Sequence, residues 1–340
     1  MGSKLELIAP LRIFMAQHRK SVMPLLVVLL LALPFLLQSQ YLLRICVMIG
    51  VYSVLATSLN LVTGYTGQVS LGHAAFYAIG AYTSALLSTK LGLSFFITAP
   101  LGAAMAGLAG LMLGLPTLRL TGSYLSITTM GFAEVVRMIL LNWESVTNGP
   151  MGIQRIPRPV LFGSPLSLMN KGLYYLMLAM VGLTTYCIYA IVRSNTGRAL
   201  TAIRDDELAA TMMGVHAMRH KVLAFVVSAF FCGLAGAFYA HMINYIDPNT
   251  FSFDTSIVIL SIVILGGMGT MTGPLLGAVL LISFPELLRF MAEYRFVVYG
   301  MILVIMMRFR PQGFLGGQQL TPYRLPPGVD RPASAGEGKV

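Results

Sequence analysis

Charge is what this chain lacks most. Asp, Glu, Lys and Arg make up only 10% of its 340 residues, while 56% are hydrophobic; a soluble globular domain carries about 25% charged residues. That excludes a water-soluble enzyme or binding module and describes an integral membrane protein. Cysteine is scarce too. Each of the three, Cys46, Cys187 and Cys232, sits alone in an apolar run, which excludes a disulfide framework and a CxxC metal site. No GxxxxGK(S/T) occurs, so there is no phosphate-cradling loop. Gly266–Gly273 has the glycine density of such a loop but lacks the lysine and lies in apolar sequence. His73, His216, His220 and His241 fall at no metal-ligand spacing, so neither metal nor cofactor is expected. The net charge of +11 is not gathered into a basic patch with interleaved aromatics, which argues against nucleic acid as a partner.

Long apolar runs are what the chain has instead. A helix needs about 20 apolar residues to cross a bilayer. Runs at 22–38, 43–63, 73–89, 94–115, 122–141, 172–192, 221–244, 254–269, 272–290 and 295–309 predict an all-α integral membrane protein. The expected architecture is a polytopic bundle of about ten transmembrane helices with broken or re-entrant segments, the eighth and ninth separated by glycine-rich sequence. Lys4, Arg12, Arg19 and Lys20 precede the first run, and no small-x-small cleavage site follows it; it reads as a retained span rather than a signal peptide. The domain reading is a cytoplasmic N-terminal segment at 1–21, a transmembrane domain at 22–310 and a cytoplasmic, disordered tail at 311–340, rich in Pro and Gly. With the N-terminus inside, Arg119, the basic residues of 193–221 and those from 308 onward also fall inside, as the positive-inside rule requires. Both termini are then cytoplasmic, and the Gly-, Pro- and Asn-rich loop 142–171 faces outward.

Two glycine-rich interruptions break the apolar pattern. The first carries Gly64, Tyr65, Gly67, Gln68 and Ser70 ahead of His73; the second carries Gly266, Gly267, Gly269, Thr270 and Thr272. In lipid, freed backbone groups are tolerated only where protein buries them or a water-filled cavity receives them. Such breaks serve either as a substrate pathway or as tight turns with close-packing glycines, and the sequence favours neither. His73 is expected to be a satisfied helix-end histidine, with a place along the route as the other reading. Within the spans, Glu134 and Arg137 form the one close acid–base pair, at the i,i+3 spacing that lets them meet on one helix face. A mutual intramembrane ion pair near the outer interface is the first reading and a gate or substrate contact the second. No chain of acids runs through the spans, which argues against a proton-driven carrier.

One charged, helix-like run stands apart. Gly197–Gly214, GRALTAIRDDELAATMMG, reads as a single short amphipathic helix between two spans. Arg198, Arg204, Asp205, Asp206 and Glu207 lie on its wet side. Ala199, Ala202, Ile203, Ala209 and Ala210 form a small-residue face that another protein can approach closely. Lying flat on anionic lipid is the other use of such an element, and three consecutive acids suit it poorly. A membrane chain with one such element is built to be pushed by a soluble partner.

Five segments, GYTGQVSLGHAAFYAIGAY, LTGSYLSITTMGFAEVVR, TNGPMGI, GRALTAIRDDELAATMMGV and VILGGMGTMTGPLLGA, together resemble the LivM-type permeases of the branched-chain (hydrophobic) amino acid ABC importer family. The resemblance runs from about 42 to 317 and implies the ABC importer permease fold in a bacterial inner (plasma) membrane. It further implies a LivH-like permease partner, two cytoplasmic ATPase subunits that use ATP, and a periplasmic amino-acid-binding protein. Gly197–Gly214 then corresponds to the coupling helix that docks on an ATPase, and loop 142–171 to the surface that meets the binding protein. Leucine, isoleucine and valine are the implied substrates. Urea or short amides and other amino acids remain alternatives within the family; an ion-coupled carrier, a channel and a structural scaffold are alternatives of other classes.

Overall fold

An apolar run in a bilayer becomes a helix because only a helix pairs every backbone N–H and C=O within one segment. The computed structural model describes residues 28–35, 39–117, 122–161, 164–287, 300–301, 304 and 313–314. The segment 1–21, and almost all of the expected span 295–309 and tail 311–340, lie outside the described residues; of the expected span 22–38, 28–35 is described and is helical. The helices that follow are α1 (Gln40–Thr63), α2 (His73–Leu91), α3 (Phe95–Thr117), α4 (Ser123–Asn142), α5 (Glu144–Thr147), α6 (Gly172–Arg193), α7 (Asn195–Asp205), α8 (Glu207–Met212), α9 (Ala217–Ile243), α10 (Phe253–Gly266) and α11 (Gly273–Leu287).

Among the described residues, α1, α3, α4, α6 and α9 are long and apolar enough to cross a membrane. The expected total of about ten is not reached there. The run 254–269 yields α10, of 14 residues, about 21 Å at 1.5 Å per residue, and the run 272–290 yields α11, described from Gly273 to Leu287. They form a tight hairpin in which a Cβ on Gly266 would collide with the carbonyl of Gly273, and one on Gly277 with that of Ile262. The glycines counted toward two spans are spent on the turn between them.

At the centre lies α9, packed against α1, α2 and α3. Lipid tails are as apolar as leucine, so helices in a membrane associate through close contact of small residues. Here Gly80 on α2 meets the backbone of Gly233 on α9, Gly236 meets the carbonyl of Tyr77, and Gly110 on α3 sits against Ala229. Phe76, Phe225, Phe238, Leu55 and Leu59 fill the remaining core.

Polar staples cross this core. His73 Nε2 donates to Ser228 Oγ at 2.9 Å, and that hydroxyl donates to the carbonyl of Ser58 at 2.5 Å, joining α2, α9 and α1. His241 Nδ1 donates to the carbonyl of Pro157 at 2.6 Å, and its Nε2 lies 3.0 Å from Ser84 Oγ, which donates to Thr98 Oγ1 at 2.9 Å. Asn244 Nδ2 donates to the carbonyl of Ile156 at 2.7 Å. The loop 142–171 is thereby ordered at one end of the bundle. Its strand β1 (Ile153–Gln154) pairs antiparallel with β4 (Tyr245–Ile246), Ile153 opposite Ile246, and β2 (Val160–Leu161) turns back on β3 (Ser164–Pro165).

A side chain at the α2–α9 seam has nowhere to go. Gly80→Leu is expected to destabilise the purified protein by about 3 kcal/mol, at the upper end of overpacking costs, lowering its thermal unfolding midpoint by several degrees. Gly182→Leu on α6, where a Cβ meets nothing within 4 Å, should leave the midpoint unchanged.

Candidate functional site at the joint of two interruptions

Beyond α6 the chain leaves the bundle at Ser194, whose extended backbone (φ −77°, ψ 177°) starts α7. The single helix expected over 197–214 is two. Asp206 is extended (φ −157°, ψ 110°), and its carboxylate accepts the N–H of Ala209 at 2.9 Å, capping α8. An aspartate gains more as an N-cap than inside a helix. The acid at Asp206 followed by Glu207 is a helix-start signal that the sequence carried.

The face that packs inward is Gly197, Leu200, Ile203 and Ala210, backed by Ala217. Of the expected small-residue face, Ile203 and Ala210 are buried, Ala199 is half-buried, and Ala202 and Ala209 are exposed. The outward face adds residues that the sequence reading did not single out: Leu208, Met212 and Met213 are 69%, 79% and 85% exposed. Leu208 and Met212 stand four residues apart on one helix face, which was the available signal.

The charges divide between two tasks. Arg198, which bonds the side chain of Asn195, stays exposed with Asp205 and Asp206. Glu207 instead reaches Lys221 on α9 at 2.6 Å, and the Lys221 side chain is only 3% exposed. Arg204 turns back toward the bundle, and its Nη1 donates to the carbonyl of Gly64 at 2.6 Å.

That contact brings both glycine-rich interruptions to one place. Gly67 (φ 72°) and Gly269 (φ 73°) adopt left-handed backbone, and each lies close enough to Arg204 that a Cβ would crowd its side chain. Between them, buried Asn60 on α1 donates from Nδ2 to the carbonyl of Thr270 at 2.8 Å and accepts the N–H of Gly269 at 2.9 Å. Thr270 Oγ1 donates to the carbonyl of Gly267 at 2.8 Å and accepts from the N–H of Gly273 at 3.1 Å, closing the turn. Phe314 N–H returns to the carbonyl of Leu265 at 3.0 Å. Gly64, Tyr65, Gly67, Gly266, Gly267, Gly269 and Thr270 therefore gather at the end of the bundle that carries α7 and α8, and the freed backbone groups are taken by Asn60, Arg204 and Thr270. Ser70 and Gln68 are buried nearby, Gln68 Oε1 having no partner among the described residues. Thr272 is exposed at the start of α11, and Gly214 (φ 87°) closes the corner into α9. His73 lies in the core, held by Ser228.

Far from this joint, Glu134 and Arg137 are paired on α4. Arg137 Nη2 donates to Glu134 Oε1 at 2.5 Å, and Nε lies 3.1 and 3.0 Å from the two carboxylate oxygens. Arg137 Nη1 donates to Asn249 Oδ1 at 3.3 Å. Among the described residues, no group of three His, Cys, Asp or Glu is placed to hold a metal ion.

Comparison with known proteins matches residues 41–307 to the family described as branched-chain amino acid transport system / permease component. The chain is 40% identical over 312 residues, 85% of its own length and 73% of the relative's, to the high-affinity branched-chain amino acid transport system permease protein LivM of Escherichia coli. It is 24% identical over 286 residues to the LivH permease protein of the same kind of system in Salmonella typhimurium, covering 78% of this chain and 91% of that one. The autoinducer 2 import system permease protein LsrC of Escherichia coli is 25% identical over 348 residues, 95% and 98% of the two chains. No solved structure matches.

Removing the amide at the joint leaves two buried backbone groups unpaired, each costing roughly 1–3 kcal/mol. Asn60→Ala should lower the unfolding midpoint of the purified protein by several degrees. Asn142→Ala, whose amide only reaches the carbonyl of Met138 on the exposed surface, should not.

Proposed function

This chain belongs to the branched-chain amino acid transport system permease family, and from that premise we propose that it is a translocation subunit of an ATP-driven importer for leucine, isoleucine and valine. It works beside a second, LivH-like permease, two ATPase subunits and a periplasmic binding protein. In this reading the chain is not an enzyme and binds no cofactor; ATP is hydrolysed by the partners. The protein is an inner-membrane one, with both termini and the α7–α8 end in the cytoplasm and the loop 142–171 outside. A polar recess of about 540 Å³ on that loop, between Lys90 and Arg155, is the surface offered to the binding protein.

The observation that carries the mechanism is the double attachment of α7 and α8. Their outer face offers apolar knobs, Leu208, Met212 and Met213, beside the exposed acids Asp205 and Asp206, a composition suited to a protein groove. Their inner face is tied through Arg204 to both interruptions and through Glu207 to Lys221 on the central helix. When ATP draws the two ATPases together, a push on α7 and α8 passes to α1, to the α10–α11 turn and to α9 at once. Differential binding of ATP then biases the bundle between inward- and outward-facing packings. A carrier driven by an ion gradient has no use for such a lever.

Uptake of labelled leucine is expected to fall in cells lacking the gene and to return when it is restored, with labelled urea uptake unchanged. Loss of urea uptake instead would keep the importer and replace the substrate. In the purified importer, Leu208→Glu with Met212→Glu should strip the ATPase subunits during affinity purification, while the second permease stays bound.

A further inference from the structure

The charged pair on α4 lies where charge is least expected. α4 turns a continuous stripe outward: Tyr124, Ile127, Gly131, Val135, Met138 and Asn142 are all exposed, at helical spacing. Glu134 and Arg137 lie beside it, past the middle of the 20-residue helix, with side chains 43% and 21% exposed. Ionisable groups within a membrane span face a protein interior or a water-filled cavity, not lipid. The outward stripe itself is as apolar as the exposed faces of two other spans. α3 presents Ile97, Leu101, Met105, Leu108 and Met112, and α6 presents Leu183 and Tyr186, as lipid contact requires. What sets α4 apart is the half-exposed Glu134–Arg137 pair, and the side of the helix that carries it therefore faces something other than lipid.

What it can hold follows from its chemistry. The open surface beside the pair is a shallow patch of α4 itself, formed by Gly131, Glu134, Val135, Met138, Ile139 and Asn142. It is largely apolar, apart from Asn142 and Glu134, whose carboxylate Arg137 holds. Gly131, one turn before Glu134, leaves the patch flat; a Cβ there would meet nothing within 4 Å. A branched-chain amino acid has the same make-up, an ammonium and a carboxylate on a compact apolar body. Exchanging Glu134–Arg137 for Glu134–ammonium and carboxylate–Arg137 keeps every charge paired and the net charge at zero, so no uncompensated ion enters a low-dielectric site. Asn249 holds Arg137 from the far side, so the guanidinium stays in place while the carboxylate turns. A neutral amide or urea would have no use for the pair.

We propose that Glu134, Arg137 and the apolar patch beside them form one wall of a transit site for zwitterionic amino acids with apolar side chains, completed by the second permease. The inference rests on the permease function above.

The test uses the complete importer, with its second permease, ATPases and binding protein, reconstituted in liposomes. Leucine uptake by the wild-type complex establishes the underlying function separately; if it is absent there, that function fails before the site is examined. The double variant Glu134→Gln with Arg137→Gln keeps a hydrogen-bonding pair of similar size without charge. A pair that merely braced α4 would tolerate this exchange, because a neutral replacement of both partners leaves no unpaired charge. A transit site should lose at least tenfold in leucine uptake, with all subunits copurifying at wild-type levels. Uptake within twofold of wild type would overturn the proposal. Gly131→Leu covers the patch without touching its own chain and should block uptake, whereas Gly182→Leu on the apolar face of α6 should not. Equal uptake by the two glycine variants would overturn the site. So would loss of the second permease from the Gly131→Leu complex, since α4 would then be a packing surface rather than a wall of the route.

Discussion

No water is present in a bilayer core to satisfy a broken helix, and this structure is organised around that constraint. α1 ends at Gly64 and the α10–α11 hairpin turns at 267–272, so both leave backbone groups in need of partners. One buried amide, Asn60, supplies a donor and an acceptor to the second interruption, and one guanidinium, Arg204, supplies a donor to the first. Because Arg204 stands on α7, the helix ends are completed only when the segment outside the bundle is docked. Backbone satisfaction and the attachment of the lever are one set of contacts.

The rest of the bundle follows the same economy of polar groups. Helices meet through Gly80, Gly233, Gly236 and Gly110, where the missing Cβ lets backbones approach. Some of the hydroxyls and imidazoles that enter the core link helices, as His73 and Ser228 do with the carbonyl of Ser58. α4 differs in carrying a carboxylate and a guanidinium that pair with each other while half-exposed.

Much of this was legible in the sequence. Membrane class, helical architecture and family follow from composition and from motifs that occur in order along the chain. The Glu134–Arg137 contact follows from i,i+3 spacing. Less legible were features that depend on local competition between neighbours. Asp206 reads as one more wet residue of an amphipathic helix until its gain as an N-cap is weighed against the cost of a corner. That the runs 254–269 and 272–290 fold back tightly on each other shows only once Gly266 and Gly277 are seen against the facing backbone. Asn60, which holds the joint, was not singled out, because an asparagine in an apolar run gives no sign of the partner 210 residues away.

By itself the sequence determined that this chain lives in a membrane, is built from helices, belongs to a permease family and carries one charged segment outside the bundle. These are properties of residue type and short-range spacing, read along one dimension. Only the tertiary structure decided that the two interruptions meet, that Arg204 and Glu207 face the bundle while Leu208 and Met212 face away, that His73 is a core residue, and that the Glu134–Arg137 pair of α4 stays half-exposed among the described residues. Each depends on which helix faces end up opposite one another, which is set by the close packing of small residues on helices far apart in the chain.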